Sequence, residues 1–232
     1  FGLRLADMAG RYRANVKTIE KPWGEWFSLQ ELEAALIEHK PAILAMVHAE
    51  TSTGVCQPMD GIGDLCRQHD CLLLLDTVTS LGGVPLYIDD WKIDLAYSCS
   101  QKGLSCPPGL GPFTMGPRAE AKMEARSGKV PNWYLDVSLL NKYWGSDRVY
   151  HHTAPVNMNF GMREALRLLA EEGLDQAWAR HRSNAEALWS GLEDLGLTMH
   201  VPYERRLPTL TTVRIPDGVD AVSYTHLRAH ET

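Results

Sequence analysis

The stretch Leu72-Leu-Leu-Leu-Asp-Thr-Val78 places a carboxylate directly after four consecutive leucines. An apolar run without alternating polar residues is typical of a strand that is buried on both faces of a parallel sheet. Residues 42–48 form a second such run, and the helical pattern of residues 59–69 separates the two. Strand, helix and strand in this order predict a βαβ unit and therefore an α/β fold.

The sequence on either side extends this pattern. Ser28-Leu-Gln-Glu31 is a capping box, in which the serine hydroxyl and the glutamate carboxylate satisfy free amides at the start of a helix. Further helices are predicted at the start of the chain and at 161–172 and 174–195, and further strands at 16–19, 93–98 and 208–215.

The composition is that of an ordinary globular protein, with 44% hydrophobic and 22% charged residues among 232. The formal net charge of −6 is spread along the chain, so neither nucleic acid nor an anionic membrane is indicated as a partner. No apolar run approaches the roughly 20 residues of a membrane helix. We expect small molecules and other copies of the chain as partners.

The five cysteines form neither a CxxC pair nor a metal-ligand spacing. Reduced thiols in apolar runs pack as small hydrophobic groups, so we expect a reducing, cytoplasmic compartment, with an organelle such as the peroxisome left open. We expect no metal site, because the adjacent His151 and His152 on an extended segment would point in opposite directions.

Polar residues follow each predicted strand of the sheet, at 48–54, 76–80 and 98–103. Open α/β sheets bind ligands at the carboxyl ends of their strands, so these three clusters should converge. Asp76 needs a partner if it stays charged beside the core. A protonated pyridine nitrogen would serve, as would a helix N-terminus or an arginine.

Lys102 follows a predicted strand and precedes Gly103, which would allow a bulky ligand to approach the backbone. A lysine that forms a Schiff base must be partly desolvated, so that its amine can be neutral. A solvated surface lysine is the alternative. Asp76 at the end of the neighbouring strand favours the first interpretation, since one ring could contact both residues.

Six motifs occur along the chain in this order: His48-Ala-Glu-Thr-Ser-Thr-Gly54, Leu72-Leu-Leu-Leu-Asp-Thr-Val78, Ser80-Leu-Gly-Gly83, Ser98-Cys-Ser-Gln-Lys102, Pro107-Pro-Gly109 and Tyr150-His-His-Thr153. Together they resemble the class V aminotransferases of fold type I, which bind pyridoxal phosphate, and most closely the alanine–glyoxylate (serine–pyruvate) aminotransferase family. The similarity extends from Phe1 to about Ala221.

The resemblance implies a role for each matching residue. Lys102 would hold the cofactor as a Schiff base, Asp76 would pair with the pyridine nitrogen, and Val78 would pack on the ring. Thr51 would lie near the ring hydroxyl and Gln101 would donate to the phosphate. Tyr150 and Thr153 would reach the phosphate in the neighbouring subunit of a homodimer.

The resemblance also implies transamination between alanine or serine and glyoxylate or pyruvate. Four alternatives remain: a 2-aminoethylphosphonate aminotransferase, a cysteine desulfurase, a dinucleotide-binding protein, and a truncated remnant that only binds the cofactor or dimerises. The desulfurases usually have His where this chain has Gln101, and no GxGxxG motif follows a strand.

For the domains we expect part of a large cofactor-binding domain at 1–155, with a mostly parallel sheet and helices on both faces. Residues 156–221 would form a linking helix and the start of a small α/β C-terminal domain. Residues 222–232 have no hydrophobic period and we expect them to be non-native. The family's Gly-rich phosphate loop, its ring-stacking aromatic residue and its substrate arginine find no match, so we expect a fragment that binds the cofactor weakly.

Overall fold

Two parallel strands formed by the apolar runs lie side by side in the sheet. The computed structural model describes residues 1–220, so the expected non-native segment at 222–232 lies outside the described residues. The strands are β1 (Ile43–Val47), β2 (Ala49–Glu50), β3 (Val55–Cys56), β4 (Leu72–Asp76), β5 (Leu95–Tyr97) and β6 (Phe113–Met115). The helices are α1 (Gly2–Arg11), α2 (Leu29–His39), α3 (Ile62–Gln68), α4 (Pro117–Glu124), α5 (Val137–Trp144), α6 (Val156–Glu172) and α7 (Leu174–Asp194).

The main sheet has the strand order β1-β4-β5-β6. Its first three strands are parallel and β6 is antiparallel to β5. The sheet is therefore mostly parallel, as predicted. A separate hairpin of β2 and β3 follows β1 directly. The carboxyl ends of the three parallel strands therefore lie at one edge of the sheet.

The core lies between the sheet and helices α2 and α3. Leu73 and Leu75 of β4 are 0% exposed and share a cluster with Leu32, Leu36 and Ile62 of the two helices. The predicted capping box is present, since Ser28 Oγ accepts from the Glu31 amide and Glu31 accepts from the Ser28 amide. Capping and core burial together fix α2 against the sheet.

The prediction that both apolar runs are covered on both faces is correct for β4 but wrong for β1. Leu72, Leu73 and Leu75 are all buried, whereas Ile43 is 47% exposed. Only Met46 is buried in β1, because α2 and α3 cover one face of this strand in the described part of the chain.

The strand predictions at 16–19 and 208–215 are also wrong. Residues 16–19 are exposed and form no regular structure. In the second segment, Val213 makes a single antiparallel bridge to Met199. Two backbone hydrogen bonds flank this bridge, from the Arg214 amide to the Thr198 carbonyl and from the His200 amide to the Thr212 carbonyl. The Thr212 hydroxyl and the Leu207 amide donate to the carbonyls of Thr53 and Gly54, which ties the segment to that turn.

The two long helices occur as predicted, and α6 begins five residues before the predicted start. Trp189 of α7 is 2% exposed and packs with Ala185 and Met199 in a second cluster. Among residues 1–220 no helix combines the length and hydropathy needed to cross a membrane.

His48 departs from the expected cluster of polar residues at the strand ends. Its side chain is 3% exposed and makes an edge contact with Trp91, at 5.3 Å between ring centroids. Its Nε2 lies 3.6 Å from Cys56 Sγ. Burial lowers the pKa of His48 to about 4, so the imidazole is neutral at pH 7.

Candidate active site

The three loops that follow β1, β4 and β5 converge as predicted. Thr51 Oγ1 of the first loop lies 2.5 Å from Thr79 Oγ1 of the second. The second and third are joined by the Ser98 hydroxyl, which donates to the Thr77 carbonyl at 3.0 Å. The Thr77 hydroxyl also donates to the carbonyl of Tyr97 at 2.8 Å. Hydrogen bonds between neighbouring loops thus hold this edge of the sheet together.

Asp76 lies at the end of β4 with only 5% of its surface exposed. Its Oδ1 accepts from the Val78 amide at 2.9 Å and its Oδ2 accepts from the Tyr97 hydroxyl at 2.6 Å. Tyr97 is the residue paired with Asp76 in the β4–β5 register. Burial and this hydrogen bond raise the pKa of Tyr97, so the phenol keeps its proton and donates it.

The partners of Asp76 test whether a cofactor ring nitrogen fits here. Both donors are neutral, and the ion pairs within residues 1–220 do not include this carboxylate. A buried carboxylate normally gains a positive partner or several hydrogen bonds. Each oxygen retains acceptor capacity, so a protonated pyridine nitrogen is a chemically suitable third partner.

Lys102 lies at the apex of the loop between β5 and β6. Below it, Ser100 is 0% exposed and its hydroxyl donates to the Pro107 carbonyl at 2.7 Å. The Ser105 amide closes the apex by donating to the Lys102 carbonyl at 2.9 Å. The lysine side chain is exposed, so the predicted desolvation is not provided by the described residues. A loop held by these hydrogen bonds therefore presents the Lys102 side chain to solvent.

The interpretation of Gly103 needs correction. A Cβ at this position would lie 2.4 Å from the Leu81 carbonyl oxygen and 2.9 Å from the Gly83 amide nitrogen. The glycine therefore permits close packing of the Lys102 loop on the turn at 81–83, rather than the approach of a ligand.

The other three predicted cofactor residues of this sheet edge are Val78, Thr51 and Gln101. Val78 is half-buried and follows Asp76 by two residues, and Thr51 is half-buried in the adjoining loop. Gln101 is exposed beside Lys102. Asp76 at the end of β4 and the other four residues in the loops thus lie at one edge of the sheet.

Tyr150 and Thr153 form a separate pair. The two hydroxyl oxygens are 2.9 Å apart, and Tyr150 is 70% exposed. Among residues 1–220, no hydrogen bond or ring contact joins this pair to Lys102, Asp76 or Thr51.

The prediction that His151 and His152 point in opposite directions is wrong. Their Nδ1 atoms are 2.9 Å apart. Residues 150–153 form no regular strand, so the alternation of side chains along an extended chain does not apply.

Sequence reasoning missed Tyr97 and Thr79. An aromatic residue in a strand usually fills the core, which conceals the role of Tyr97 as a donor to Asp76. The available signal was position, because Asp76 and Tyr97 are the last residues of neighbouring parallel strands. Thr79 lies in the same polar cluster as Asp76, and its hydroxyl is hydrogen-bonded to the hydroxyl of Thr51 in the preceding loop.

Comparisons with known proteins support the predicted family. The aminotransferase class-V family model matches residues 3–230. Alanine–glyoxylate aminotransferase from Mus musculus is 46% identical over 231 residues, which cover 97% of this chain and 56% of the relative. (S)-Ureidoglycine–glyoxylate transaminase from Bacillus subtilis is 39% identical, with 96% of this chain and 58% of the relative covered.

A solved structure extends the comparison to three dimensions. The crystal structure of alanine–glyoxylate aminotransferase from Nostoc sp. superposes with a TM-score of 0.97 at 63% identity, covering 99% of this chain and 61% of that one. This similarity confirms the predicted fold type I. The chain spans somewhat more than half the length of the relatives it matches. It belongs to the class V aminotransferases, a family of pyridoxal-phosphate enzymes.

Proposed function

We propose that the protein carrying this chain transfers the amino group of a small amino acid, alanine or serine, to glyoxylate or pyruvate. The observation that carries the proposal is the pair of Asp76 and Lys102 on the loops of adjacent strands, with a buried carboxylate that lacks a cationic partner. The names of the relatives support glyoxylate as the acceptor.

Bound pyridoxal phosphate would supply a protonated ring that accepts the electron pair released at the substrate Cα. Asp76 would hold the proton on the ring nitrogen, and the Tyr97 hydroxyl donates to this carboxylate and fixes its orientation. Lys102 Nζ would hold the cofactor and would accept the proton from the substrate Cα. Val78 would pack on the ring and Thr51 would orient its hydroxyl.

The phosphate would be held by Gln101 of the same chain and by Tyr150 and Thr153 of the neighbouring subunit. The separation of the Tyr150–Thr153 pair from the Lys102 loop within one chain supports a contribution from a second copy. The site would then be complete only in a homodimer.

Reduction with borohydride tests the central assignment. The protein containing this chain is mixed with pyridoxal phosphate and reduced, and its peptides are mapped by mass spectrometry. We expect a stable cofactor adduct on Lys102 that disappears in Lys102→Ala and persists in the control Lys129→Ala, which removes another exposed lysine.

An adduct on other lysines with none on Lys102 would overturn the proposal. An adduct on Lys102 without exchange of amino groups between alanine and glyoxylate would overturn the activity while retaining the cofactor site.

A further inference from the structure

His151 is buried between two exposed hydroxyl residues. It is 5% exposed, whereas Tyr150 on one side is 70% exposed and Thr153 is also exposed. Its ring stacks on Trp133, with 4.2 Å between ring centroids and 10° between planes. The buried imidazole of His151 therefore holds the segment against Trp133, and ring contacts of Tyr150 and His152 with Tyr143 add to this.

The hydrogen bonds of His151 define its tautomer. Its Nε2 lies 3.3 Å from the Trp133 carbonyl oxygen, which can only accept, so Nε2 carries the proton. In the neutral ring Nδ1 is then an acceptor, and it faces His152 Nδ1 at 2.9 Å as the donor. Both nitrogens of His151 are thus satisfied, and Trp133 contributes both the stacked ring and the carbonyl acceptor.

The anchored segment carries a preassembled pair of hydroxyls. Tyr150 Oη and Thr153 Oγ1 lie 2.9 Å apart although both side chains are exposed. Exposed side chains ordinarily sample several rotamers, and ordering them on binding costs free energy. A backbone held in place at His151 reduces that cost for a ligand that accepts from both hydroxyls.

We propose that His151 is a positioning residue, which holds Tyr150 and Thr153 together as a two-hydroxyl clamp for the cofactor phosphate. This inference rests on the proposed function for the identity of the phosphate. It adds that the clamp depends on the imidazole of His151, which would not contact the cofactor itself. The stack on Trp133 and the two hydrogen bonds of the imidazole would hold the clamp in place.

Binding to the protein containing this chain tests the inference without measuring turnover. The apoprotein is titrated with pyridoxal 5′-phosphate and, in parallel, with pyridoxal, which lacks the phosphate, and the visible absorbance is recorded. His151→Phe keeps an aromatic ring for the stack but loses both hydrogen bonds. We expect the affinity for pyridoxal 5′-phosphate to fall about tenfold, which is the scale of one hydrogen bond between the hydroxyl pair and the phosphate. The affinity for pyridoxal should stay unchanged.

Two further variants and one control sharpen the test. His152→Phe removes the donor to His151 Nδ1 and should show a smaller loss in the same direction. His151→Gln can restore the bond to the Trp133 carbonyl and should recover part of the affinity. The control His181→Phe alters a half-buried histidine of α7 and should change neither titration. Equal losses for both ligands in His151→Phe and His152→Phe would indicate a purely structural role and overturn the inference.

The clamp itself is tested by Tyr150→Phe with Thr153→Val. If this double variant binds both ligands like the unaltered protein, the proposed phosphate contact is wrong. If it loses phosphate-dependent affinity while His151→Phe and His152→Phe do not, the contact stands and the positioning role of His151 is wrong. If the role is correct, adding His151→Phe to the double variant produces no further loss.

Discussion

Among residues 1–220, Tyr97 is the only residue whose side chain donates a hydrogen bond to Asp76. Its hydrogen bond crosses from β5 to β4 at the point where both strands end. Loss of this contact is costly, because Oδ2 of the buried carboxylate would keep its desolvation penalty while only Oδ1 retained a donor, the Val78 amide.

We therefore expect Tyr97→Phe to lower the free energy of unfolding by about 1–3 kcal/mol. The same change should weaken binding of pyridoxal phosphate, since the carboxylate is no longer held in one orientation. Urea unfolding at pH 7 and absorbance titration measure the two effects. The control Tyr134→Phe removes an exposed hydroxyl for which no hydrogen bond occurs in the structure, and it should change neither. Equal unfolding free energies for Tyr97→Phe and the unaltered chain would contradict the expectation.

Among individual residues, the sequence predicted those whose polarity contrasts with their surroundings. Asp76 stands out because it follows four leucines, and Lys102 because it follows a run of small residues. Tyr97 does not stand out, since tyrosine suits a strand for reasons of packing alone. The exposure of Lys102 was also beyond the sequence, because solvation depends on which segments cover the loop.

Among the elements, the turn at 81–83 and the loop that carries Lys102 pack together and position this lysine. Their backbones approach so closely that neither Gly82 nor Gly103 has room for a Cβ without contacts under 3.0 Å. Because both loops follow adjacent strands, their contact fixes where the lysine emerges.

Gly103→Ala should therefore strain this contact and destabilise the protein by about 1–3 kcal/mol, the usual cost of overpacking. The neighbouring atoms are backbone, so they cannot rotate away as a side chain could. Chemical denaturation provides the measurement, and Gly128→Ala is the matched control because no atom lies within 4 Å of its added Cβ. A Gly103→Ala protein as stable as Gly128→Ala would show that the loops separate freely.

The elements that could be predicted carry their own signals. The capping box located α2, and the apolar runs located β1 and β4. The strands β2, β3 and β6 have two or three residues each, and they exist because a partner strand pairs with them rather than because of a local pattern. The same dependence on a partner explains why 208–215 forms one bridge instead of a strand.

For the whole molecule, the proposed homodimer divides each site between two chains. Lys102 and Asp76 would come from one chain and the Tyr150–Thr153 pair from the other. The domain boundaries at 155 and 221 stay predictions.

Mixed dimers test this division. Lys102→Ala abolishes the anchor, and Tyr150→Phe with Thr153→Val abolishes the clamp, so each variant alone should bind the cofactor poorly. In a mixed dimer, one site receives an intact Lys102 loop from one chain and an intact clamp from the other. We expect half of the mixed sites to regain tight binding, measured by absorbance titration after the two proteins are unfolded and refolded together. Binding that equals the average of the separate variants would contradict a shared site.

The buried imidazole of His48 has a further consequence, because protonation of this ring is coupled to folding. The pKa is about 4 in the folded chain and about 6.5 for an exposed histidine. Between these values the unfolded chain binds a proton that the folded chain excludes, so stability is fully present above pH 6.5 and is lost as the pH falls towards 4. Between pH 7 and pH 4.5 the loss amounts to about 2 kcal/mol, and a His48→Gln protein should lack this part of the pH dependence when unfolding is measured at both pH values. Acid would thus act on the fold at His48, directly after β1 and next to the proposed cofactor site.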